Sequence, residues 1–275
     1  MKNNYSKYLI ALDLDGTLLN NKKNICFLTK KYLKKLNKKG VNIVLCSGRA
    51  PRTMINYYNK LKLNSPMICY NGALTYNPFN DNFKKISYQF DHEKLIKIYS
   101  LFSEYVEITM CESKNNIYID KEDDFLFTFF QKGNMNIFNN IKDSLNEDTY
   151  TYVIKLKKDK DNKENRLKLQ ELVKESTFNY RLRYWHDSPY GEFHFENVNK
   201  AFALKQLAKT LNIDENNIYV FGDAGNDIEM LNTFSNSYLM RNGNKEIRKY
   251  ASNITKKDNN HNGIYYELKE IFKNI

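Results

Sequence analysis

At 275 residues the chain exceeds the usual size of a single domain, so we expect one large domain or two domains of moderate size. Hydrophobic residues make up 41% and aromatic residues 14% of the chain, which is enough for a sizeable core and excludes a disordered protein. The net charge of +11 would suit an anionic ligand, but the lysines are mixed with asparagines and aspartates, as on solvated helix faces and loops.

The first part of the chain alternates between apolar strands and amphipathic helices. A helix is predicted over 29–38, with Thr29 as its N-cap and Gly40 as its C-terminal stop, and Pro51 suits the first turn of a second helix. Apolar runs predict three strands, at 8–12, 41–46 and 66–70. The alternation of strand and helix predicts parallel pairing with right-handed crossovers.

From about residue 82 to 190 the pattern changes to short, aromatic-rich, alternating strands. The strand-like stretches are KKISYQF, NIYID, YTYVIKLK, FNYRLRYW and GEFHFENV. Helix-like stretches lie between them, at 92–104, 122–131 and 164–175. This arrangement predicts a separate α+β unit built on a mainly antiparallel sheet.

After residue 198 the first pattern returns. NKAFALKQLAKTLNI predicts an amphipathic helix, NIYVFGD a buried strand that ends in an aspartate, and NDIEMLNTF a short helix. SYLM predicts another strand and GIYYELKEIF a terminal helix. We therefore predict an α/β core domain over 1–81 and 190–275, interrupted by an inserted domain over 82–189.

Four of the predicted strands end in small or polar residues. These ends are Asp13, Cys46-Ser47, Tyr70-Asn71 and Gly222-Asp223. Ligands of an open parallel sheet bind beyond the carboxyl ends of its strands, so the four ends together predict an active-site crevice.

Asp13 and Asp15 raise a question of charge, because carboxylates placed so close repel unless a cation or hydrogen bonds compensate. With Asp223 they form an oxygen-rich cluster that suits Mg²⁺, which prefers oxygen ligands and often shares its site with a substrate phosphate. The chain turns through Gly16 and Thr17 directly after Asp15, so this residue could instead offer its backbone carbonyl to the metal. Its carboxyl would then be free to act as a general acid and base.

Four ordered motifs carry a resemblance to a known superfamily. They are DLDGTLL (13–19), CSGR (46–49), Lys200 before a helix, and GDAGND (222–227), and they resemble the motifs of the haloacid dehalogenase-like phosphotransferases. YNGA (70–73), the position of the insertion and the tail LMRNGNKEIRKYASNIT…HNGI narrow the resemblance to Cof-type phosphatases with a type IIB cap. It covers 1–80 and 190–275, and it extends to the insertion only in size and placement.

This resemblance implies a Rossmann-like parallel-sheet core with an inserted α+β cap, and a Mg²⁺-dependent phosphatase of small phosphorylated metabolites. Asp13 would be the nucleophile that forms an aspartyl phosphate, and Asp15 the general acid and base, with Asp13, Asp15 and Asp223 around the metal. Aspartyl-phosphate ATPases of the superfamily have threonine where Asp15 stands, so the aspartate favours a phosphatase or mutase. The residues implied to bind phosphoryl oxygens are Ser47, Arg49, Asn71, Lys200, Asn226 and the amides of Leu14 and Gly48. Lys200 would also pair with the nucleophile, and Asp227 would orient the groups around it.

Two of these residues have alternative interpretations, and two neighbours of Lys200 differ from the family pattern. Arg49 could serve only as a helix-start or ion-pair residue, and Asn71 only as the former of an Asn-Gly turn. Lys200 is usually followed by glycine and often preceded by serine in the family, whereas this chain has Ala201 and Asn199. Neither change removes a charged group, although the approach of the helix to the phosphate could shift.

Two other functions compete with the phosphatase. One is a phosphomutase of the same superfamily, and the other is a basic nucleic-acid-binding protein with a vestigial site, which the intact motifs disfavour. The N-terminal stretch MKNNYSKY lacks the apolar segment of a signal peptide, no apolar run is long enough to cross a membrane, and the four cysteines form no CxxC pair. We expect a cytoplasmic monomer or weak homodimer without membrane or nucleic-acid partners.

Overall fold

The computed structural model of the chain describes residues 5–176, 178–185 and 187–273. Its α-helices are α1 (Phe27–Lys38), α2 (Pro51–Leu61), α3 (His92–Phe102), α4 (Asp124–Phe129), α5 (Ile141–Ser144), α6 (Lys163–Glu175), α7 (Lys200–Thr210), α8 (Ile228–Thr233) and α9 (Gly263–Ile271). Its strands are β1 (Leu9–Leu12), β2 (Asn42–Leu45), β3 (Met67–Cys69), β4 (Leu74–Tyr76), β5 (Ile86–Ser87), β6 (Val106–Glu112), β7 (Asn116–Ile119), β8 (Asn136–Phe138), β9 (Thr151–Leu156), β10 (Tyr180–Tyr184), β11 (Tyr190–Phe195), β12 (Ile218–Gly222), β13 (Asn236–Leu239) and β14 (Asn253–Ile254).

Two compact units divide the chain. The first contains the residues up to Ser87 together with those from Asn199 onward, and the second is the continuous segment Tyr88–Val198. The assignment of 1–81 and 190–275 to a core domain, and of 82–189 to a cap, stays a prediction. No helix in the described ranges is both long enough and apolar enough to cross a membrane.

A five-stranded sheet organises the first unit, and every pair of neighbours in it is parallel, in the order β14-β13-β12-β1-β2. All four residues of β1 are buried, because β1 is a central strand covered on both faces. Leu12 lies in register with Leu45 of β2 and with Phe221 of β12, so these three strands end at the same edge. The predicted α/β fold is confirmed, and this edge is where the candidate site forms.

The third predicted strand pairs differently from the prediction. β3 runs antiparallel to β4 in a separate three-stranded sheet, and it meets β2 only through a parallel bridge between Cys46 and Ile68. The cause is the turn that follows β3, in which Tyr70, Asn71 and Gly72 all have left-handed φ angles, of 50°, 53° and 107°. That turn reverses the chain and returns β4 alongside β3. The expected parallel pairing of β3 is therefore limited to its bridge with β2, and its longer ladder is the antiparallel one with β4.

The first helix begins two residues earlier than predicted, and Thr29 is not its N-cap. Helix α1 begins at Phe27, after Cys26, and Thr29 lies buried in its first turn. The amide of Thr29 donates to Oδ1 of Asn262, 3.2 Å away, so a distant side chain satisfies an N–H group that a cap would otherwise bind. Helix α2 does begin at Pro51, as predicted. Gly40, with φ at 97°, follows the end of α1 and accommodates the left-handed turn there.

The second unit contains a six-stranded sheet in the order β10-β11-β9-β6-β7-β8, antiparallel except between β7 and β8. The predicted, mainly antiparallel sheet is confirmed, but sequence reasoning missed β8 and also β6, which lies between β9 and β7. The stretch KKISYQF was predicted in this sheet, whereas its strand β5 pairs with β4 in the three-stranded sheet. Met110 of this strand belongs to one hydrophobic cluster and Cys111 to another. Because both faces of β6 are buried, it lacks the alternation of apolar and polar residues that marks a half-exposed strand.

Candidate active site

Asp13 follows β1 directly, and its backbone anchors the loop that carries Asp15. The Asp13 amide donates to the carbonyl of Phe221 at 3.1 Å, and its own carbonyl accepts from the amide of Leu18 at 3.1 Å. Gly16 has a left-handed φ of 76°, and a Cβ atom placed on it would lie 2.2 Å from Oδ2 of Asp223. Only glycine fits here, because the loop after β1 passes directly against the carboxylate that follows β12.

Lys200 joins two carboxylates inside the protein. Its Nζ lies 2.6 Å from Oδ1 of Asp13 and 2.7 Å from Oδ1 of Asp227. Lys200 and Asp227 are completely buried, and Asp13 is 5% exposed. A buried lysine is stable only when it is paired, and here it has two partners.

The start of α7 explains how this chain tolerates its departures from the family pattern. The side chain of Asn199 caps the helix by accepting from the amide of Phe202 at 2.9 Å, which is the task that serine performs in other helices. Ala201 is buried in the hydrophobic core of the unit. The carbonyl of Asn199 also approaches Gly72 so closely that a Cβ atom on Gly72 would lie 2.4 Å from it. Helix α7 therefore begins with Lys200 aimed at Asp13.

Asp227 uses its second carboxylate oxygen to shape the loop after β12. Its Oδ2 accepts from the amide of Asp223 at 2.9 Å and from the amide of Ala224 at 3.1 Å. A Cβ atom on Gly222 would lie 2.5 Å from Cγ of Asp227, so the glycine of the GDAGND motif makes room for this carboxylate. Asp227 thus orients both Lys200 and Asp223.

Asp13, Asp223 and Asp227 form a cluster in which acidic groups outnumber the basic group, Lys200. Their carboxyl oxygens lie within 4.8 Å of one another, and Lys200 is a single cation for three carboxyl groups. Burial raises the pKa of Asp13 well above its ordinary value in spite of Lys200, and burial and Asp227 together raise the pKa of Asp223. The pKa of Lys200 is also raised, because the attraction of Asp13 and Asp227 exceeds the effect of burial. This excess charge and the oxygen donors fit a divalent metal ion.

The hydrogen bonds of Asp13 and Asp223 leave one carboxylate oxygen of each residue available to bind such an ion. Asp13 uses Oδ1 for Lys200, and Asp223 uses Oδ1 to accept from the hydroxyl of Thr17 at 2.7 Å. Thr17 is 1% exposed, so this hydrogen bond is shielded from water. The group could therefore hold a metal between Asp13 and Asp223, with Thr17 orienting the second ligand.

Asp15 lies outside this group and has cations of its own. Arg49 binds it in a bidentate manner, with Nε 2.6 Å from Oδ2 and Nη2 2.8 Å from Oδ1. The Nζ of Lys23 lies 2.6 Å from the same Oδ1. Burial opposes these contacts, yet the hydrogen bonds from Arg49 and Lys23 lower the pKa of Asp15 to about 2. In this structure Asp15 is therefore a carboxylate held by two cations.

The remaining predicted residues meet beside the end of β2. The backbone carbonyl of Ser47 accepts from the amide of Asn71 at 3.0 Å, and Oδ1 of Asn71 accepts from Nδ2 of Asn226 at 3.0 Å. A Cβ atom on Gly48 would lie 3.0 Å from the amide group of Asn71. Asn71 is thus both the former of a left-handed turn and the partner of Asn226.

For two predicted phosphate ligands, Leu14 and Arg49, the structure shows contacts within the protein. Leu14 is fully buried in the loop after β1, and its carbonyl accepts from the amide of Leu19 at 2.8 Å. Arg49 is engaged in the ion pair with Asp15. The structure thus shows the ion pair that was one of the two interpretations of Arg49, and a phosphate contact for either residue stays a prediction.

Sequence reasoning missed three residues that belong to this site. Thr17 stands inside the DLDGTLL motif, where the sequence predicts only a turn, although its hydroxyl donates to Asp223. Lys23 and Tyr57 carry no signal of their own, because lysine and tyrosine are common in this chain and their contacts are made by folding. The ring of Tyr57 lies 5.9 Å from the guanidinium of Arg49, and its hydroxyl donates to the carbonyl of Lys23.

A family model, curated relatives and a solved structure all relate this chain to the same family of hydrolases. A family model described as haloacid dehalogenase-like hydrolase matches residues 10–268. The chain is 28% identical over 268 residues to the 5-amino-6-(5-phospho-D-ribitylamino)uracil phosphatase YitU of Bacillus subtilis, covering 96% of this chain and 97% of the relative. It is 30% identical over 293 residues to the Mycoplasma genitalium protein MG265, covering 95% and 97%. The solved structure of a haloacid dehalogenase-like hydrolase from Bacteroides thetaiotaomicron has the same fold, with a TM-score of 0.79, 21% identity, and coverage of 96% and 99%.

Proposed function

We propose that this chain, which belongs to the haloacid dehalogenase-like hydrolase family, hydrolyses small phosphorylated metabolites in a Mg²⁺-dependent reaction through an aspartyl phosphate on Asp13. The enzyme is a phosphatase of the Cof type. The observation that carries the proposal is the buried Asp13 carboxylate at the end of β1, held by Lys200 beside the oxygens of Asp223 and Asp227. The proposed nucleophile, a lysine and the oxygens proposed to bind the metal are therefore close together.

Mg²⁺ is the ion that we assign to this group of oxygens, because it favours carboxylate, carbonyl and water ligands. Asp13 and Asp223 would provide carboxylate oxygens. Asp15 would provide its backbone carbonyl, since its carboxylate is bound by Arg49 and Lys23. When bound, the ion neutralises negative charge on the phosphoryl group.

In the first half of the reaction the Asp13 carboxylate attacks the phosphorus atom of the substrate. The bond from phosphorus to the leaving oxygen breaks, its electron pair goes to that oxygen, and Asp15 gives the oxygen a proton. Because Arg49 and Lys23 keep Asp15 ionised in the free protein, Asp15 takes up this proton from the singly protonated phosphate of the substrate as it binds. Lys200 keeps Asp13 oriented and offsets its charge. The amides of Leu14 and Gly48, together with Ser47 and Asn226, bind the phosphoryl oxygens as the charge on them changes.

In the second half water attacks the aspartyl phosphate. Asp15 accepts a proton from the water as the new bond to phosphorus forms, and the bond between phosphorus and Asp13 breaks with its electron pair returning to the carboxylate. The proton passes from Asp15 to the departing inorganic phosphate, and Asp15 returns to its ion pairs with Arg49 and Lys23. Asp13 is thus the nucleophile in the first half and the leaving group in the second, while Asp15 is first the acid and then the base.

The substrate class that we propose is a phosphorylated sugar, sugar alcohol or cofactor intermediate. The relative YitU is named for a substrate in which a phosphorylated ribityl group is attached to a uracil derivative. We propose that the segment 82–189 acts as a cap that selects the leaving group, and that the enzyme is a monomer or weak homodimer in the cytoplasm.

The test is release of inorganic phosphate from a panel of sugar phosphates, nucleotides and phosphorylated cofactors, with Mg²⁺ and with excess EDTA. We expect hydrolysis of several sugar or sugar-alcohol phosphates, only when Mg²⁺ is present, and a phosphoryl group on the Asp13 peptide after acid quenching. Absence of release from every compound, or equal release with EDTA, would contradict the proposal. Conversion of a hexose phosphate into its isomer without release would instead indicate a phosphomutase.

A further inference from the structure

Lys23 has a backbone conformation that lysine seldom adopts. Its φ is 56°, in the left-handed region, and of the lysines that the structure describes only Lys62 shares this feature. Lys62 is the C-cap of α2, where left-handed residues are common. Lys23 caps no helix, and the conformation is unfavourable for an L-residue compared with glycine. Strain of this kind often marks a functional position.

A network of local hydrogen bonds holds Lys23 in that conformation. Oδ1 of Asn20 accepts from the amides of Lys22 and Asn24, both at 3.0 Å, and the carbonyl of Asn20 accepts from the amide of Lys23 at 2.8 Å. The hydroxyl of Tyr57 donates to the carbonyl of Lys23 at 3.1 Å. The turn is therefore stabilised by hydrogen bonds within it and by one hydrogen bond from α2.

The turn directs the Lys23 side chain at Asp15. The Nζ of Lys23 and the Nη2 of Arg49 approach the same oxygen of Asp15, at 2.6 Å and 2.8 Å. Arg49 is only 14% exposed whereas Lys23 is 61% exposed, so Lys23 binds the carboxylate from its solvent side, where Asp15 itself stays 41% exposed. An ordinary surface ion pair would contribute too little stability to account for a strained turn built around it.

We propose that Lys23 is a positioning residue for Asp15, which with Arg49 holds the carboxyl where it can reach the leaving oxygen of the substrate. This proposal rests on the acid–base role of Asp15 in the proposed function. A proton donated by Asp15 matters most when the leaving oxygen is strongly basic, because a weakly basic oxygen departs without help. Loss of Lys23 should therefore impair poor leaving groups more than good ones.

The experiment compares phenyl phosphate, which has a poor leaving group, with p-nitrophenyl phosphate, which has a good one and nearly the same shape. Lys23→Met keeps the aliphatic stem and removes the ammonium group. We expect kcat/KM to fall about 10-fold for phenyl phosphate and about 2-fold for p-nitrophenyl phosphate, part of the roughly 10²–10⁴-fold that general acid–base catalysis supplies. Lys23→Arg should restore most of the loss.

Lys22→Met is the matched control, because Lys22 is exposed in the same turn and only its backbone takes part in the contacts found among the described residues. It should leave both rates unchanged. In an Asp15→Asn background, Lys23→Met should change neither rate by more than about 2-fold, since non-additivity marks residues that act as a unit.

Two results would overturn the proposal for Lys23 while leaving the proposed function intact. One is an equal loss for both substrates, and the other is an undiminished loss in the Asp15→Asn background. Failure of the proposed function itself would be recognised separately, by a wild-type protein that releases no phosphate with Mg²⁺ or by an Asp13→Asn variant that retains turnover. Thermal unfolding of Lys23→Met should match that of Lys22→Met, which separates a positioning role from a folding defect.

Discussion

Two carboxylate–lysine pairs lie at the same edge of the parallel sheet and differ mainly in burial. Lys200 contacts Asp13 at 2.6 Å, and Lys23 contacts Asp15 at 2.6 Å. Lys200 is fully buried whereas Lys23 is 61% exposed. Burial raises the pKa of Asp13, while Arg49 and Lys23 lower that of Asp15 to about 2. Equal distances thus give opposite electrostatic results, because Asp13 is buried beside Asp223 and Asp227, whereas Asp15 is half-exposed and has a second cation in Arg49.

This difference in burial predicts how much each pair contributes to the stability of the fold and to catalysis. Breaking a buried ion pair leaves an uncompensated charge in the interior and costs about 3–5 kcal/mol. Breaking an exposed pair costs about 0–1 kcal/mol, because water and salt replace the partner. We expect the Lys200 group to govern both folding and catalysis, and the Lys23 group to affect catalysis alone.

The largest effect should come from Asp13→Asn. An amide oxygen is too weak a nucleophile to form the phosphoryl intermediate, so we expect kcat to fall by about 10⁴-fold or more. Turnover of p-nitrophenyl phosphate with Mg²⁺ measures the loss, and circular dichroism checks the fold. The control is Asp81→Asn at an exposed position, which should retain full activity. Substantial turnover by Asp13→Asn would show that another group attacks the phosphorus.

Lys200→Met should affect stability most. It leaves the carboxylates of Asp13 and Asp227 buried without their cation, so we expect a loss of about 3–5 kcal/mol in the free energy of unfolding. Urea unfolding measures this loss, and Mg²⁺ should restore part of it by binding the folded form. Lys205→Met, on the same helix at a half-exposed position, should cost less than about 1 kcal/mol. Equal costs for the two variants would contradict the contrast between buried and exposed pairs.

Thr17→Val tests the hydrogen bond that orients Asp223. The substitution removes the hydroxyl from a buried position and leaves Oδ1 of Asp223 without that donor, which should cost about 1–3 kcal/mol. We also expect the concentration of Mg²⁺ that gives half-maximal activity to rise by roughly 10-fold, as is typical when a partner of a metal ligand is lost. Thr17→Ser retains the hydroxyl and should keep the Mg²⁺ dependence of the wild type. An unchanged Mg²⁺ dependence in Thr17→Val would remove Asp223 from the proposed ligand set.

The smallest effect should be that of Lys23→Met on stability. The ammonium group of Lys23 is largely in water, so its removal should change the free energy of unfolding by less than about 1 kcal/mol. Urea unfolding at low and high salt gives the value, and the small difference from wild type should shrink as salt screens the pair. A loss as large as that of Lys200→Met would mean that the turn around Lys23 is itself a major element of the fold.

Much of the candidate site could be predicted because its residues stand in short motifs at strand ends. Asp13, Ser47 and Asp223 follow apolar runs, and parallel strands bring their carboxyl ends to one edge whatever the details of packing. The roles of these residues in catalysis stay predictions. The contacts of Lys23 and Thr17 could not be predicted, because each depends on how a loop closes onto a carboxylate.

The amino-acid sequence alone determined the local elements and the class of enzyme. The buried run of β1, the helix that begins at Pro51 and the spacing of the acidic motifs depend on neighbouring residues, and neighbours can be read directly. Tertiary structure decided the antiparallel pairing of β3, the central place of β6 and the burial that separates the two lysine pairs. These features arise from contacts between residues far apart in the chain, such as Asp13 and Lys200, and local propensity carries no information about them.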